Sequence, residues 1–241
     1  MASGFVQSNG AQIYYEVHGA ATSGAAAPLV FLHGNGEDSR YFAPQVAHFA
    51  ERYKVVTIDS RAHGQSTRGN GALSFAAMAG DVLATLNHLS IDRAAVVGFS
   101  DGGNAALHVA LAAPERVQAL VIIGANLFPR GMKAGAHLFI TAGYAWRCLK
   151  GIFSKAARAA RERWALMVFH PRLTADAISA IHAPTLVVAG EHDVIRESHT
   201  RLIASAIPAA TLKIIPRADH FLTSKKPDVF NAIVEKFLTQ L

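Results

Sequence analysis

Short, largely apolar runs alternate along the chain with stretches in which apolar positions return every three or four residues. The runs at 28–32, 54–59, 94–97, 117–123 and 184–190 fit strands covered on both faces, since a half-exposed strand would alternate polar and apolar positions. A last strand is expected at 211–215. Met78, Val82, Leu86 and Leu89 form a helical stripe over 75–89, and further helices are expected at 41–53, after Ser100 as far as 113, at 198–206 and at 227–238. Pro114 stops the helix before it. Near the start, 5–7 and the alternating 12–17 flank Asn9-Gly10, whose tolerance of positive φ predicts a β-hairpin. Residues 20–27 are small and predict a loop.

This rhythm breaks after 124 for about sixty residues, well beyond an ordinary connection. The expected organisation is therefore an α/β core domain at 1–124 and 183–241, with a small helical cap insertion at 125–182. Eight strands would form a mostly parallel sheet with helices on both faces. Within the insertion, 146–164 predicts one amphipathic basic helix, with Leu149, Ile152 or Phe153, Ala156, Ala160 and Trp164 on a common face. Covering the chain's own site is preferred for it over resting on anionic lipid.

Composition narrows the function. At 241 residues and 51% hydrophobic, the chain can bury one large core. Its net charge is +6, but charged residues are only 17% of the chain and the arginines are mostly scattered, so no nucleic-acid partner is expected. Cys148 is the single cysteine, which excludes an internal disulfide, and no histidine or second cysteine stands at metal-ligand spacing, so neither metal nor cofactor is expected. No window of 18 apolar residues exists and no apolar leader follows the first five residues, so a cytoplasmic protein without stable membrane insertion is expected. The oligomeric state stays open.

The chemistry centres on Gly98-Phe99-Ser100-Asp101-Gly102-Gly103, between an apolar run and a helical pattern. A strand, sharp turn and helix would expose the Ser100 oxygen above the sheet and aim the helix's free N–H groups at charge developing beside it. A serine needs a neutral histidine as base and a carboxylate to orient that histidine. His220 follows the last strand and Asp193 ends the strand before it, giving the chain order Ser, acid, His. Asp219 is the weaker acid and Glu191 a reserve. Backbone N–H groups of Asn35, in the loop His33-Gly34-Asn35-Gly36, and of Asp101 are the expected oxyanion donors. The Asp101 side chain either complements the helix dipole or faces the pocket and attracts a substrate ammonium. Asp59, Arg61 and His63 are read as structural.

Taken with Asp59-Ser60-Arg61-Ala62-His63-Gly64-Gln65-Ser66, Gly190-Glu191-His192-Asp193 and Asp219-His220-Phe221, these motifs closely resemble the α/β-hydrolase superfamily over almost the entire chain. The Ser-Asp-Gly-Gly elbow is similar to that of small serine esterases and valacyclovir-hydrolase-like enzymes. The resemblance implies an α/β-hydrolase fold and a carboxylesterase-like hydrolase acting on a small ester, thioester or amide, with Ser100, Asp193 and His220 as triad. Aminopeptidase-type cleavage and carbon-carbon bond hydrolysis on the same triad, or a non-catalytic small-molecule receptor, are the alternatives. Where relatives commonly carry Arg-Gly-His-Gly, this chain has Ala62, which adds a methyl at a tight position.

Overall fold

A computed structural model of the chain describes residues 1–19 and 27–241. Residues 20–26 of the expected loop lie outside that range. The N-terminal hairpin joins β1 (Ala2–Ser8) to β2 (Ala11–His18), with φ of 45° at Asn9 and 76° at Gly10 matching the turn to the strands' twist. Then follow β3 (Leu29–Leu32), α1 (Ala43–Phe49), β4 (Val55–Ile58), α2 (Phe75–His88), β5 (Ala94–Phe99), α3 (Asp101–Ala112) and β6 (Val117–Ile123). Three helices come next, α4 (Ala134–Lys150), α5 (Lys155–Phe169) and α6 (Ala175–Ile178). The chain ends with β7 (Thr185–His192), α7 (Glu197–Ala206), β8 (Ala210–Asp219), α8 (Leu222–Lys225) and α9 (Pro227–Leu238).

Among the described residues, eight strands form one sheet in the order β1-β2-β4-β3-β5-β6-β7-β8, antiparallel at β1–β2 and β2–β4 and parallel elsewhere. Alternate residues of each buried strand serve opposite layers. Val30, Val96 and Leu120 join Val82, Leu86 and Leu107 of α2 and α3, whereas Phe31, Val97 and Val121 join Phe49 of α1 and Phe230 of α9. Both faces being covered explains why these strands read as largely apolar runs.

Two helices differ from the sequence expectation. The helix expected at 41–53 is only α1, because Asp38 accepts the Arg40 N–H and caps a 3-10 turn at Ser39–Phe42. At its other end the Phe49 carbonyl accepts from both Arg52 and Tyr53 and closes a turn. The single basic helix expected at 146–164 is two, α4 and α5, joined by a turn after Lys150. Glycine at 151 weakens helix continuation, and Ser154 restarts the chain as an N-cap, its Oγ accepting the Ala157 N–H at 3.3 Å.

The loop after β4 is tied down by buried polar groups. Asp59 accepts the N–H groups of Ser39 and Gln65, each at 2.8 Å, and His63 Nδ1 donates to the Arg61 carbonyl at 3.0 Å. Burial pushes the His63 ring down to about 3, so it stays neutral. Arg61 reaches α2, donating from Nε and Nη2 to the Asp81 carboxylate at 2.6 and 2.5 Å, with both side chains 2% exposed or less. Removing one partner leaves a buried charge alone. Asp81→Ala should lower stability by about 3–5 kcal/mol, seen as a lower urea midpoint at unchanged slope, whereas Arg61→Met/Asp81→Leu should recover most of that loss.

Candidate active site

Ser100 sits between β5 and α3 at φ 53° and ψ −117°, outside the regions an L residue ordinarily adopts. Its N–H donates to the Ile123 carbonyl at 2.7 Å, and the start of α3 lies hard against the strand ends. A Cβ at Gly98 would meet the Gly102 carbonyl oxygen at 2.3 Å, and one at Gly102 would meet the Leu32 carbonyl oxygen at 2.0 Å. The two glycines are therefore required by space.

Strand register brings the next partners in. In the β7–β8 pair His192 lies opposite Asp219, so the residues that follow, Asp193 and His220, leave the sheet side by side. His220 Nδ1 donates to Asp193 Oδ1 at 2.8 Å, and Oδ1 also accepts the Ile195 N–H at 2.9 Å. A carboxylate on Nδ1 leaves Nε2 without a proton, so Nε2 accepts from Ser100 Oγ at 3.1 Å. Asp193 is 2% exposed and His220 9%, with the rings of Phe99 and Phe221 against the imidazole. The two reserve acids are engaged elsewhere. Asp219 bonds the Phe221 N–H and Lys225, which holds its carboxyl below the usual range, and Glu191 accepts the Arg217 N–H at 2.8 Å.

Asn35 stands in the loop after β3, and the Asp101 N–H in the first turn of α3, where no helical carbonyl precedes it. The Asn35 side chain is bound on its own account, with Nδ2 donating to Asp101 Oδ2 and to the Arg163 carbonyl of α5, both at 2.8 Å. The Asp101 carboxylate is thus turned to Asn35 and Asn104, and it is not in the wall of the cavity that holds Ser100. Burial foremost pushes its carboxyl up to about 6. An ammonium-binding role for Asp101 has no geometric support, and its place at the helix N-terminus remains.

That cavity measures about 270 Å³, with Ser100, His220, Asn35 and Asn126 among its polar lining. Its apolar wall includes Phe139 and Ile140 of α4, Trp164 and Met167 of α5, and Val194. Glu37 also lines it, and sequence reasoning missed this residue because a loop acid carries no periodic or motif signal. Its Oε2 accepts the Gly34 N–H at 3.0 Å, and burial foremost pushes its carboxyl up to about 7. Beneath the site, His33 Nδ1 donates to the Gly34 carbonyl while Nε2 accepts the Ser60 N–H, and burial lowers its pKa. Ala62 takes φ 63°, so the methyl is accommodated in left-handed backbone, and its carbonyl accepts from Arg163 Nη1 at 3.1 Å. Among the described residues, no group of three or more His, Cys, Asp or Glu could hold a metal ion.

Comparison with known proteins agrees with this architecture. RutD of Caulobacter segnis, a protein named for carbamate hydrolysis, is 31% identical over 94% of this chain and 96% of its own. A solved N-acyl homoserine lactone degrading enzyme superposes with a TM-score of 0.78 at 29% identity, covering 97% of this chain and all of that one. The enol-lactonase of Burkholderia xenovorans shares the fold at a TM-score of 0.80 and 23% identity, over 98% of this chain and all of that one. The family model described as the alpha/beta hydrolase fold matches residues 27–147, half of the chain, and the protein belongs to the α/β-hydrolase family.

Proposed function

We propose that this hydrolase cleaves a small carboxylic ester, or a related thioester or amide, through Ser100, His220 and Asp193 and an acyl-enzyme intermediate. The observation that carries the reading is the hydrogen-bond chain from Ser100 Oγ through His220 to Asp193 Oδ1 at 3.1 and 2.8 Å. Ser100 Oγ attacks the carbonyl carbon while His220 Nε2 takes its proton, and Asp193 stabilises the imidazolium. The N–H groups of Asn35 and Asp101 hold the oxyanion. His220 then returns the proton to the departing oxygen, sulfur or nitrogen, and water repeats the sequence on the acyl-serine. The chemistry needs no cofactor.

The relatives' named substrates, a carbamate and an acyl homoserine lactone, share with simple esters a carbonyl carrying a heteroatom leaving group. That common feature supports heteroatom leaving groups over carbon-carbon cleavage. In this reading the 125–182 insertion is a cap, since α4 and α5 furnish half of the apolar residues in the wall that would hold the acyl or alcohol part.

Because nucleophile and base act as one unit, Ser100→Ala, His220→Ala and the double variant should lose similar, non-additive amounts of p-nitrophenyl ester turnover, and Ser100→Ala should also lose fluorophosphonate labelling. Retained turnover in folded Ser100→Ala would refute the assignment. Asp193→Asn should cost about 10⁴ in kcat by favouring the wrong tautomer. Asp219→Asn, altering an exposed carboxylate bound to Lys225, should change kcat far less.

Glu37 gives the cavity a charge that appears as pH rises, because its carboxyl loses its proton near 7. Above that pH an anionic substrate meets like charge. The kcat/KM ratio of a carboxylate-bearing ester to its neutral analogue should therefore fall between about pH 6 and about pH 8 in wild type. The decline should be much flatter in Glu37→Gln, and an unchanged slope would remove Glu37 from the substrate's surroundings.

A further inference from the structure

The far end of the α4–α5 pair carries a surface that the proposed chemistry does not use. Leu149, Ile152 and Phe153 are 67%, 66% and 90% exposed, and Trp146, one turn earlier, is 51% exposed. Four large apolar side chains open to water within eight residues are a patch, unlike the scattered singles of an ordinary surface. The patch is also separate from the cavity, since ten residues of α4 place Lys150 about 15 Å along the helix from Ile140.

Its shape is fixed. Arg158 donates from Nε and Nη2 to the Gly151 carbonyl at 3.3 and 3.2 Å, bracing the turn that presents Ile152 and Phe153. The Arg147 guanidinium lies 3.7 Å from the Trp164 ring centroid and locks α4 to α5, while Lys150 Nζ stands 4.5 Å from the Trp146 centroid.

Charge is concentrated in the same hairpin. Residues 134–169 hold six lysines and arginines against one glutamate, a formal +5 of the chain's +6. That glutamate, Glu162, is bound at 2.7 Å to Arg68 in the loop after β4. Apolar side chains at a tip bordered by exposed Lys150 and Arg158 match a surface that is apolar within and negative at its face.

We propose that this tip docks the protein reversibly onto an anionic lipid surface, with Leu149, Ile152 and Phe153 entering the headgroup layer and Lys150 and Arg158 meeting lipid phosphates. A second copy fits less well, because it would set +5 against +5. A nucleic acid would satisfy the charges but leave the apolar tip without a partner. Among the described residues no helix is long and apolar enough to cross a membrane, and docking at the surface requires none.

The test is co-sedimentation of the full chain with vesicles of phosphatidylcholine alone and with phosphatidylglycerol added. Wild type should pellet with the anionic vesicles, stay in solution with the neutral ones and be released by raised salt. Ile152→Ser/Phe153→Ser and Lys150→Glu should each weaken binding about tenfold or more while keeping the wild-type thermal transition. Phe153→Trp emission should shift to the blue on anionic vesicles only. Ser100→Ala should bind as wild type does, which separates docking from the proposed catalysis. The proposal is overturned if wild type does not pellet, or if Lys150→Glu loses binding while the double serine variant keeps it. A wild-type dimer in sedimentation velocity that the serine variant dissolves would equally assign the patch to a second copy.

Discussion

The backbone of Ser100 is strained, and the strain persists only because its surroundings leave no alternative. The Ile123 carbonyl holds the Ser100 N–H, while the first turn of α3 approaches Leu32 at a distance that excludes any side chain at Gly102. The ends of β3, β5 and β6 and the start of α3 are therefore one packed unit. From that unit the remaining groups take their positions by register: Asn35 follows β3, Asp193 follows β7 and His220 follows β8. A slip of one residue between β7 and β8 would separate the carboxylate from the imidazole, so the sheet that buries the core also sets the 2.8 Å contact between them.

How much of this was legible in the sequence depended on whether the signal was local. Strands buried on both faces read as largely apolar runs, and Ser100, Asp193 and His220 each stand just past a strand end, so the fold and the three residues of the proposed triad were readable together. The α4–α5 break was not, because a glycine inside a helix costs only about 1 kcal/mol and an amphipathic pattern continues across it. The packing of Arg147 on Trp164, the Ser154 cap and the Arg158 bonds to the Gly151 carbonyl mark the two helices. Glu37 and the orientation of Asp101 were equally hidden. Whether a loop carboxylate faces a cavity or a neighbouring amide depends on contacts such as Asn35 to Asp101, sixty-six positions apart.

Three carboxyls near His220 meet three different environments. Asp193 accepts the imidazole N–H and the Ile195 N–H, and it is the one in hydrogen-bonding contact with His220. Asp101 and Glu37 are pushed toward the neutral form chiefly by burial. The counter-charge in direct contact with the imidazole in the proposed mechanism is therefore the Asp193 carboxylate. Position relative to the cavity separates the other two. Asp101 has its oxygens turned to amides of Asn35 and Asn104, while Glu37 is held by one backbone N–H and lines the wall that a substrate would touch.

Asn35 links that electrostatic arrangement to the helices above it. One amide nitrogen donates both to Asp101 in α3 and to the Arg163 carbonyl in α5, and Arg163 in turn donates to the Ala62 carbonyl beneath. The left-handed conformation of Ala62 is part of the loop that carries this carbonyl, so the residue that departs from the usual glycine sits where the loop after β4 meets α5. On the proposed mechanism the Asn35 N–H is an oxyanion donor, and oxyanion stabilisation depends on donors fixed before charge develops. The bond to Arg163 then does two things at once: it anchors α5, whose Trp164 and Met167 line the cavity, and it fixes the loop that carries the donor. Displacing α5 would remove one of the amide's two acceptors and loosen that loop, so the wall of the pocket and the geometry of its chemistry are held by the same side chain.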